Sequence, residues 1–331
     1  MIVVMNRFAT LILSMLLGLV SLPADGQVTF DTSTPGRVAI LVDGAPTAEY
    51  VYQDPVTTRP YFSNLKAPVV GAKGGVQVTR NHPPVEGFDR MDHPEYHPGL
   101  WMAFGVLSGA DGWRLKAPVE QLRFIEQPNT TDAGGAFAVE LAHHDADPAT
   151  DEPICTERFR FEVTPTEAGV LLGWDSTFTS DREFYFGDQE EMGLGVRLAT
   201  PLRVETGGDN MAPGGGEMLD SEGRVNAAGI WGKAANWIDC RGELDGVPAG
   251  VAIFCHPKNF RETRYHARDY GYVCANPFSL DAFNVGEPDK TRVEPGASLR
   301  LRYGVLLHAG AELSSETLND AYEAYVETAG P

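Results

Sequence analysis

Ala297–Ala309 reads ASLRLRYGVLLHA. Leu299, Leu301, Tyr303, Val305 and Leu307 fall on one side of an extended chain, and Arg300 and Arg302 fall on the other. This period of two is the signature of a half-buried β-strand. The same alternation recurs upstream. In ICTERFRFEV, Cys155, Phe159, Phe161 and Val163 oppose Thr156, Arg158, Arg160 and Glu162. In AFAVELAHH, Phe137, Val139 and Leu141 alternate with smaller or charged residues. RVAILVD, AEYVYQD, GVLLGWDSTF, REFYFG and GVAIFCH read as strands too. Gly, Pro, Asp and Asn clusters separate them at intervals of roughly ten residues, the rhythm of a sandwich or barrel.

One helix interrupts the pattern. In SSETLNDAYEAYVE, Leu318, Ala321, Tyr322, Tyr325 and Val326 recur at helical spacing, with Ser314 or Ser315 as cap and Glu316 in the first turn. P-loop and GxGxxG signatures are missing, which argues against a nucleotide-binding α/β fold. The expected fold is therefore all-β: a large antiparallel β-sandwich closed by one C-terminal helix, forming a single domain over 27–331. The irregular segment Thr206–Arg224 is expected to be a lid or a linker.

Residues 1–26 read as an export signal: Arg7, an apolar run from Leu11 to Leu22, then small residues before Gln27. That run is too short to span a bilayer, and the mature chain has no other candidate span. The chain is thus expected to be periplasmic or extracellular. Lys and Arg number 26 against 46 Asp and Glu, a net charge of −20. Such a chain repels phosphate backbones, which argues against nucleic acid as partner. Cys155, Cys240, Cys255 and Cys274 form no CxxC pair, so a zinc cluster is disfavoured. They are open to pairing or to burial as free thiols.

Four constellations could carry chemistry. Asp92-His93-Pro94-Glu95-Tyr96-His97-Pro98 places a carboxylate and two imidazoles together. Pro94 and Pro98 push the histidines before them out of the helical region, so an HxxxH zinc-protease helix fails. An Asx-type turn is the bland alternative. HPKNFRETRYHARDYGY carries His266, Arg268, Asp269 and Tyr270 after an apolar strand. There a carboxylate could orient the imidazole, or the cluster could be a surface ion-pair network. Asp188, Glu190 and Glu191 stand before a Gly-rich strand and suit an acid, a base or a divalent cation. Trp231, Trp237 and Asp239 suit stacking on sugar rings and binding of their hydroxyls, or a place in the core. No GxSxG elbow is present.

Six ordered segments carry a resemblance: TTRPYFSNL (Thr57–Leu65, with Arg59), VTRNHPP (Val78–Pro84), DHPEYHPGLW (Asp92–Trp101), EEMGLGVRLA (Glu190–Ala199), GVAIFCHPKNFRETRYHARDYG (Gly250–Gly271) and ANPF (Ala275–Phe278). Together they resemble the family labelled PmoA-like, or methane oxygenase. The resemblance spans about residues 35 to 327 and implies an exported bacterial protein met where glycans are degraded. The family pattern DHPHHRGLW keeps Asp92, His93 and His97 here; Glu95, Tyr96 and Pro98 depart from it. The strand pattern and length also look like the sandwich of galactose mutarotases.

Three readings follow. The leading one is a carbohydrate-active enzyme working by acid–base chemistry: glycoside cleavage, elimination or epimerisation. Its catalytic candidates are His93, His97, His266, Glu191 and Asp269, and its substrate-binding candidates are Asp92, Arg268, Tyr270, Trp101, Trp237, Asp239 and Arg59. No cofactor is required. The second is a copper or iron oxygenase with His93, His97 and His266 holding the metal. The third is a non-catalytic glycan-binding protein using Trp101, Trp231 and Trp237.

Overall fold

The structure is a computed structural model and describes residues 26–330 except 70–73, 151 and 209. The expected export signal lies outside the described residues, apart from Gly26. Two eight-stranded antiparallel sheets face each other. The first runs Val28–Asp31, Arg37–Val42, Ala45–Val51, Tyr61–Ser63, Leu100–Phe104, Met192–Arg197, Tyr272–Asn276 and Arg264–Arg268. The second runs Glu217–Asp220, Trp237–Leu244, Val247–Cys255, Ser298–Ala309, Gly169–Thr179, Cys155–Thr166, Gly134–His143 and Val119–Thr131. The antiparallel β-sandwich read from the alternation is the fold that the chain adopts.

Inward-facing residues follow the predicted parity. Leu301, Tyr303, Val305 and Leu307 are wholly buried between the sheets, with Phe161 and Val163 beside them. Phe62 of the first sheet stacks on Phe161 of the second with ring centroids 4.3 Å apart. Each large apolar side chain buried this way stabilises the fold by roughly 2–3 kcal/mol. The four cysteines are all buried and free. Among the described residues no helix is long and apolar enough to cross a membrane.

Ser298–Ala309 departs from a half-buried strand in one respect. Its other face is covered by the C-terminal helix Ser315–Thr328, which buries Leu306 as well. Ser314 caps this helix, accepting from Thr317 N–H at 3.1 Å. Gly304 makes the docking possible, since a β-carbon there would lie 2.9 Å from Tyr325 Cδ2. Arg302 is 4 % exposed, and its guanidinium donates to the Gly330 carbonyl at 2.9 Å. A short second helix, Asn226–Ile230, was not expected.

The Thr206–Arg224 segment is tied down, unlike a free lid or linker. Arg203 donates to the carbonyls of Thr200, Gly207 and Ala212 at 2.8, 2.9 and 2.6 Å. Gly215 and Gly216 N–H return to the Arg203 carbonyl, and Glu217–Asp220 then joins the second sheet as its edge.

Candidate functional site

Each sheet has an outward face, and the two are finished differently. On the first sheet, inward Leu100, Met102, Leu194, Val196, Val273 and Ala275 leave Trp101, Gly195, Arg197 and Tyr272 pointing out. His266 and Arg268 share that face on the adjoining edge strand. Gly195 is small for a reason. A β-carbon there would lie 2.7 Å from Trp101 Cζ2 and 2.9 Å from Trp113 Cη2, so the glycine makes room for both indoles, which meet edge to face.

His97 packs onto this aromatic floor. Its ring stacks on Trp101 at 5.1 Å and on Tyr272 at 4.9 Å. It is 3 % exposed, and burial, reinforced by Arg197, Arg80, Arg59 and His93, holds its pKa well below that of a free imidazole. His97 is therefore a neutral wall of the site. His266 is 4 % exposed and meets Tyr272 edge-on at 5.1 Å. Burial first, then Arg268, pushes its pKa down to about 3. Its Nε2 lies 3.5 Å from Glu190 Oε2. With the ring neutral, that contact is not an ion pair.

Arg80 shapes the turn that carries the histidines. Its guanidinium donates to the carbonyls of Arg90, Asp92 and His97 at 2.9, 2.7 and 3.1 Å. His97 N–H closes on the His93 carbonyl at 3.1 Å, and His93 takes a positive φ of 46°. The result leaves His93 exposed, stacked on Tyr96 and 5.6 Å from the His97 ring. Asp92 sits among arginines: its Oδ1 lies 2.7 Å from Arg197 Nη2, 3.3 Å from Arg80 Nη1 and 3.5 Å from Arg90 Nε. It is a counter-ion of the scaffold, which outweighs the sugar-binding role expected of it.

Glu191 enters from the start of the Met192–Arg197 strand and pairs with Arg114, which also reaches Asp111 at 3.4 Å. Its carboxyl is raised above the ordinary value. Burial is the main cause; Asp111 and Glu190 add to the rise, and Arg114 and His93 oppose it. Tyr270 and Tyr272 feel the Glu191 charge in turn. Asn276 fixes the approach to this carboxylate, donating to the Gln189 and Glu190 carbonyls at 2.8 and 3.0 Å. Glu190 binds Arg268 at 3.1 Å. Asp188, in contrast, accepts from the N–H groups of Leu280, Asp281, Ala282 and Asp289, which makes it a clamp on that loop.

Asp92, His93, His97, Trp101, Glu191, His266, Arg268, Tyr270 and Arg59 thus meet on one face. Three candidates do not. Trp237 and Asp239 belong to the second sheet, and their parity turns them to its helix-covered side. There Trp237 donates to Asn319 at 2.8 Å, and Asp239 holds His308 at 2.8 Å. Asp269 accepts from Ala227 N–H at 2.9 Å, at the start of the short helix, and does not pair with Arg268. Arg59 is 3 % exposed, donating to the carbonyls of Trp113 and Tyr96 beside Trp101, so its guanidinium is spent on bracing loops. Trp101 is wholly buried and offers no platform. Among the described residues no three His, Cys, Asp or Glu side chains stand where they could hold a metal ion; His93, His97 and His266 do not form the expected ligand set.

Sequence reasoning missed Arg80, Arg90, Arg114, Arg197 and Asn276. Arg197 was within reach: it follows inward Leu194 and Val196 by parity alone. A cleft of about 510 Å³ lies elsewhere, along the edge between Tyr52–Arg59, Pro118–Gln121 and His144–Thr150. Of the candidate residues only Arg59 borders it, so the outer face of the first sheet is the better site.

A family model covers residues 37–323. The chain belongs to DUF6807, a family of unknown function. This corrects the PmoA-like assignment drawn from the six segments: the match spans nearly the whole sandwich and carries no methane-oxygenase identity. No curated protein matches the chain. Among solved structures it is similar to the Slr1438 protein of Synechocystis, with 13% identity, 92% of this chain and 99% of that one covered, and a TM-score of 0.31. A GalM/aldose epimerase homologue from C. elegans gives 11%, 86%, 99% and 0.34. An α-galactosidase from Geobacillus stearothermophilus gives 11%, 87% and 0.38, and the chain spans 42% of it. Likenesses of this size transfer no residue role.

Proposed function

We propose that this member of DUF6807 is an exported carbohydrate-active enzyme in which Glu191 and His93 move protons on a bound saccharide. The observation that carries the reading is the Glu191 carboxyl, raised by burial on the same face as an exposed imidazole. Two titratable groups in unlike environments divide the roles of acid and base. Glu191 can pass a proton to a departing or ring oxygen, its raised carboxyl giving the proton up less readily than a free one would, and His93 can accept a proton from a sugar carbon, hydroxyl or water. His97 and His266 stay neutral and buried, so they position the aromatic floor and carry no proton. Half-buried Tyr96, Tyr270 and Trp231 supply ring faces and edges at the rim.

The test is turnover of a panel of oligosaccharides, read by mass spectrometry. His93→Ala and Glu191→Gln should each slow product formation by roughly 10²-fold or more, with the melting temperature held. Undiminished turnover in both variants would overturn the reading. So would glycan binding without product from any member of the panel, which is the mark of a binding protein.

A further inference from the structure

In the lobe of the site around Tyr270, buried guanidiniums outnumber the carboxylates they touch. Arg80, Arg90 and Arg197 converge on the single oxygen Asp92 Oδ1. Arg203 stands close enough to feel Arg90. The further carboxylates are Glu205, 3.1 Å from Arg90, and Asp89, near Arg80. Asp89 accepts from Asn81, Val85 N–H and Thr200, and so touches no guanidinium. Arg80 and Arg197 thus have Asp92 as their one carboxylate contact and share it with Arg90, while Glu190 on Arg268 and Glu191 near Tyr270 balance the open side. Side chains of Arg80 and Arg197 are 1% exposed. Two buried cations on one counter-charge are under-neutralised, and a chain of net charge −20 has carboxylates to spare elsewhere.

A second observation points the same way. Arg197 Nη1 and Arg80 Nε are buried and find no acceptor among the described residues. On the open side, Arg90 and Arg268 are about a third exposed, at 34% and 38%. Arg90 and Arg197 each place Cζ 4.6 Å from the Tyr270 ring centroid, and Arg268 acts on the same phenol. Arg268 is tied to Glu190 through Nη2.

We propose that Arg90, Tyr270 and Arg268 form a subsite for an anionic substituent of the saccharide, the carboxylate of a uronosyl residue or a sulfate ester. The proposal rests on the outer-face site described above and names its substrate class. Guanidinium forks match both groups geometrically, and the phenol adds a hydrogen-bond donor between them. The Arg80 and Arg197 guanidiniums behind them, which share one carboxylate, favour an anion that the rest of this acidic surface repels.

Calorimetric titration of the full chain tests it, with oligogalacturonate, oligomannuronate, a sulfated galactan fragment and neutral malto- and cello-oligosaccharides of equal length as probes. At least one anionic probe should bind roughly tenfold or more tightly than the neutral ones. The advantage should fall with added salt. Arg90→Gln with Arg268→Gln should abolish it while the melting temperature holds. The uronate and sulfate probes tell the two sources apart. Equal binding of neutral and anionic probes, a preference that survives in the double variant, or no anionic binding would overturn the subsite. Neutral-sugar turnover lost in His93→Ala, with no anionic preference, would leave the enzyme reading standing alone. Anionic preference lost in the double variant, with no product from any probe, would leave the subsite standing without the enzyme.

Discussion

Replacing Asp92 by asparagine isolates its structural duty. The amide keeps one oxygen for Arg197 Nη2, now 2.7 Å away, and removes the charge. Arg80 and Arg197 are 1% exposed, so they then repel each other with no anion in contact. Breaking a fully buried pair costs about 3–5 kcal/mol. Asp92 is itself 23% exposed, and water reaching it trims the figure to about 2–4 kcal/mol. At roughly 2–4 °C per kcal/mol, the melting temperature falls by about 5–15 °C. Urea unfolding should show a lower midpoint at unchanged slope. Combining Asp92→Asn with Arg197→Met should cost less than the sum of the two, because the second change removes the repulsion that the first exposes. A single variant within about 0.5 kcal/mol of wild type, or additive behaviour in the cycle, would refute the reasoning.

Three further outcomes are expected. Gly195→Ala forces a methyl against Trp101 and Trp113 and should destabilise by about 1–3 kcal/mol, whereas Gly173→Ala, with its nearest neighbour at 3.4 Å, should be neutral or slightly stabilising; equal effects would contradict the packing argument. Asn276→Ala strands the Glu190 carbonyl and the Phe278 N–H, while the Gln189 carbonyl keeps the Ser279 hydroxyl, and should cost about 1–3 kcal/mol by urea unfolding; a loss below about 0.5 would count against it. Acid should weaken the fold from pH 6.5 downward. His266 and His97 are held neutral, so the unfolded chain binds more protons than the native one between the free imidazole value of 6.5 and, for His266, about 3. Stability therefore drops as pH falls, by up to about 1.4 kcal/mol per unit for each group. Glu191 has the opposite sign, since a raised carboxyl binds more protons when native, but His82 and His256 are lowered as well, so it is one group against four. Urea midpoints that stay level between pH 7 and 5, or a slope that His266→Asn leaves unaltered, would argue against this.

Alternation made the sandwich legible because each strand carries its own record of which side meets the core. Leu301, Tyr303, Val305 and Leu307 announce a buried face wherever the strand sits. What covers the opposite face is a matter between segments, and period two is silent on it. Leu306, on the face that Arg300 and Arg302 share, is buried because Ser315–Thr328 packs over it. Trp237 and Asp239 were misplaced for the same reason: their parity was readable, but not which sheet they joined. Asp92, His93 and Glu191 were legible as residue types in two segments far apart along the chain, but not as a cluster. Their division into counter-ion, exposed imidazole and raised carboxyl depended on Arg80, Arg197 and Arg114, contributed by distant segments. The mistaken family label came from motif order, which a small set of segments can share with a name that the whole chain does not match.

The two outward faces show why residue type alone does not make a site. Asp239 and His308 stand 2.8 Å apart on the second sheet, a carboxylate–imidazole pair tighter than any contact His93 makes. Their side chains are 0% and 2% exposed. Arg241 closes over them, 3.8 Å from Asp239 and bound to the Leu313 carbonyl at 3.0 Å. Next to that pair, the helix seals the sheet with Leu318 and Tyr325 against Trp237 and Phe254. The first sheet is finished by loops instead. Loops expose more polar backbone and leave gaps between side chains. Arg80 and Arg59 spend their donors on loop carbonyls, which holds the rim in place without apolar cover. That leaves His93 in water and Glu191 partly so, at 23%. The same chemical pair is thus a strut under a helix and a candidate acid–base couple beside a loop. The deciding quantity is access to solvent, set by which outer face of the sandwich receives the C-terminal helix.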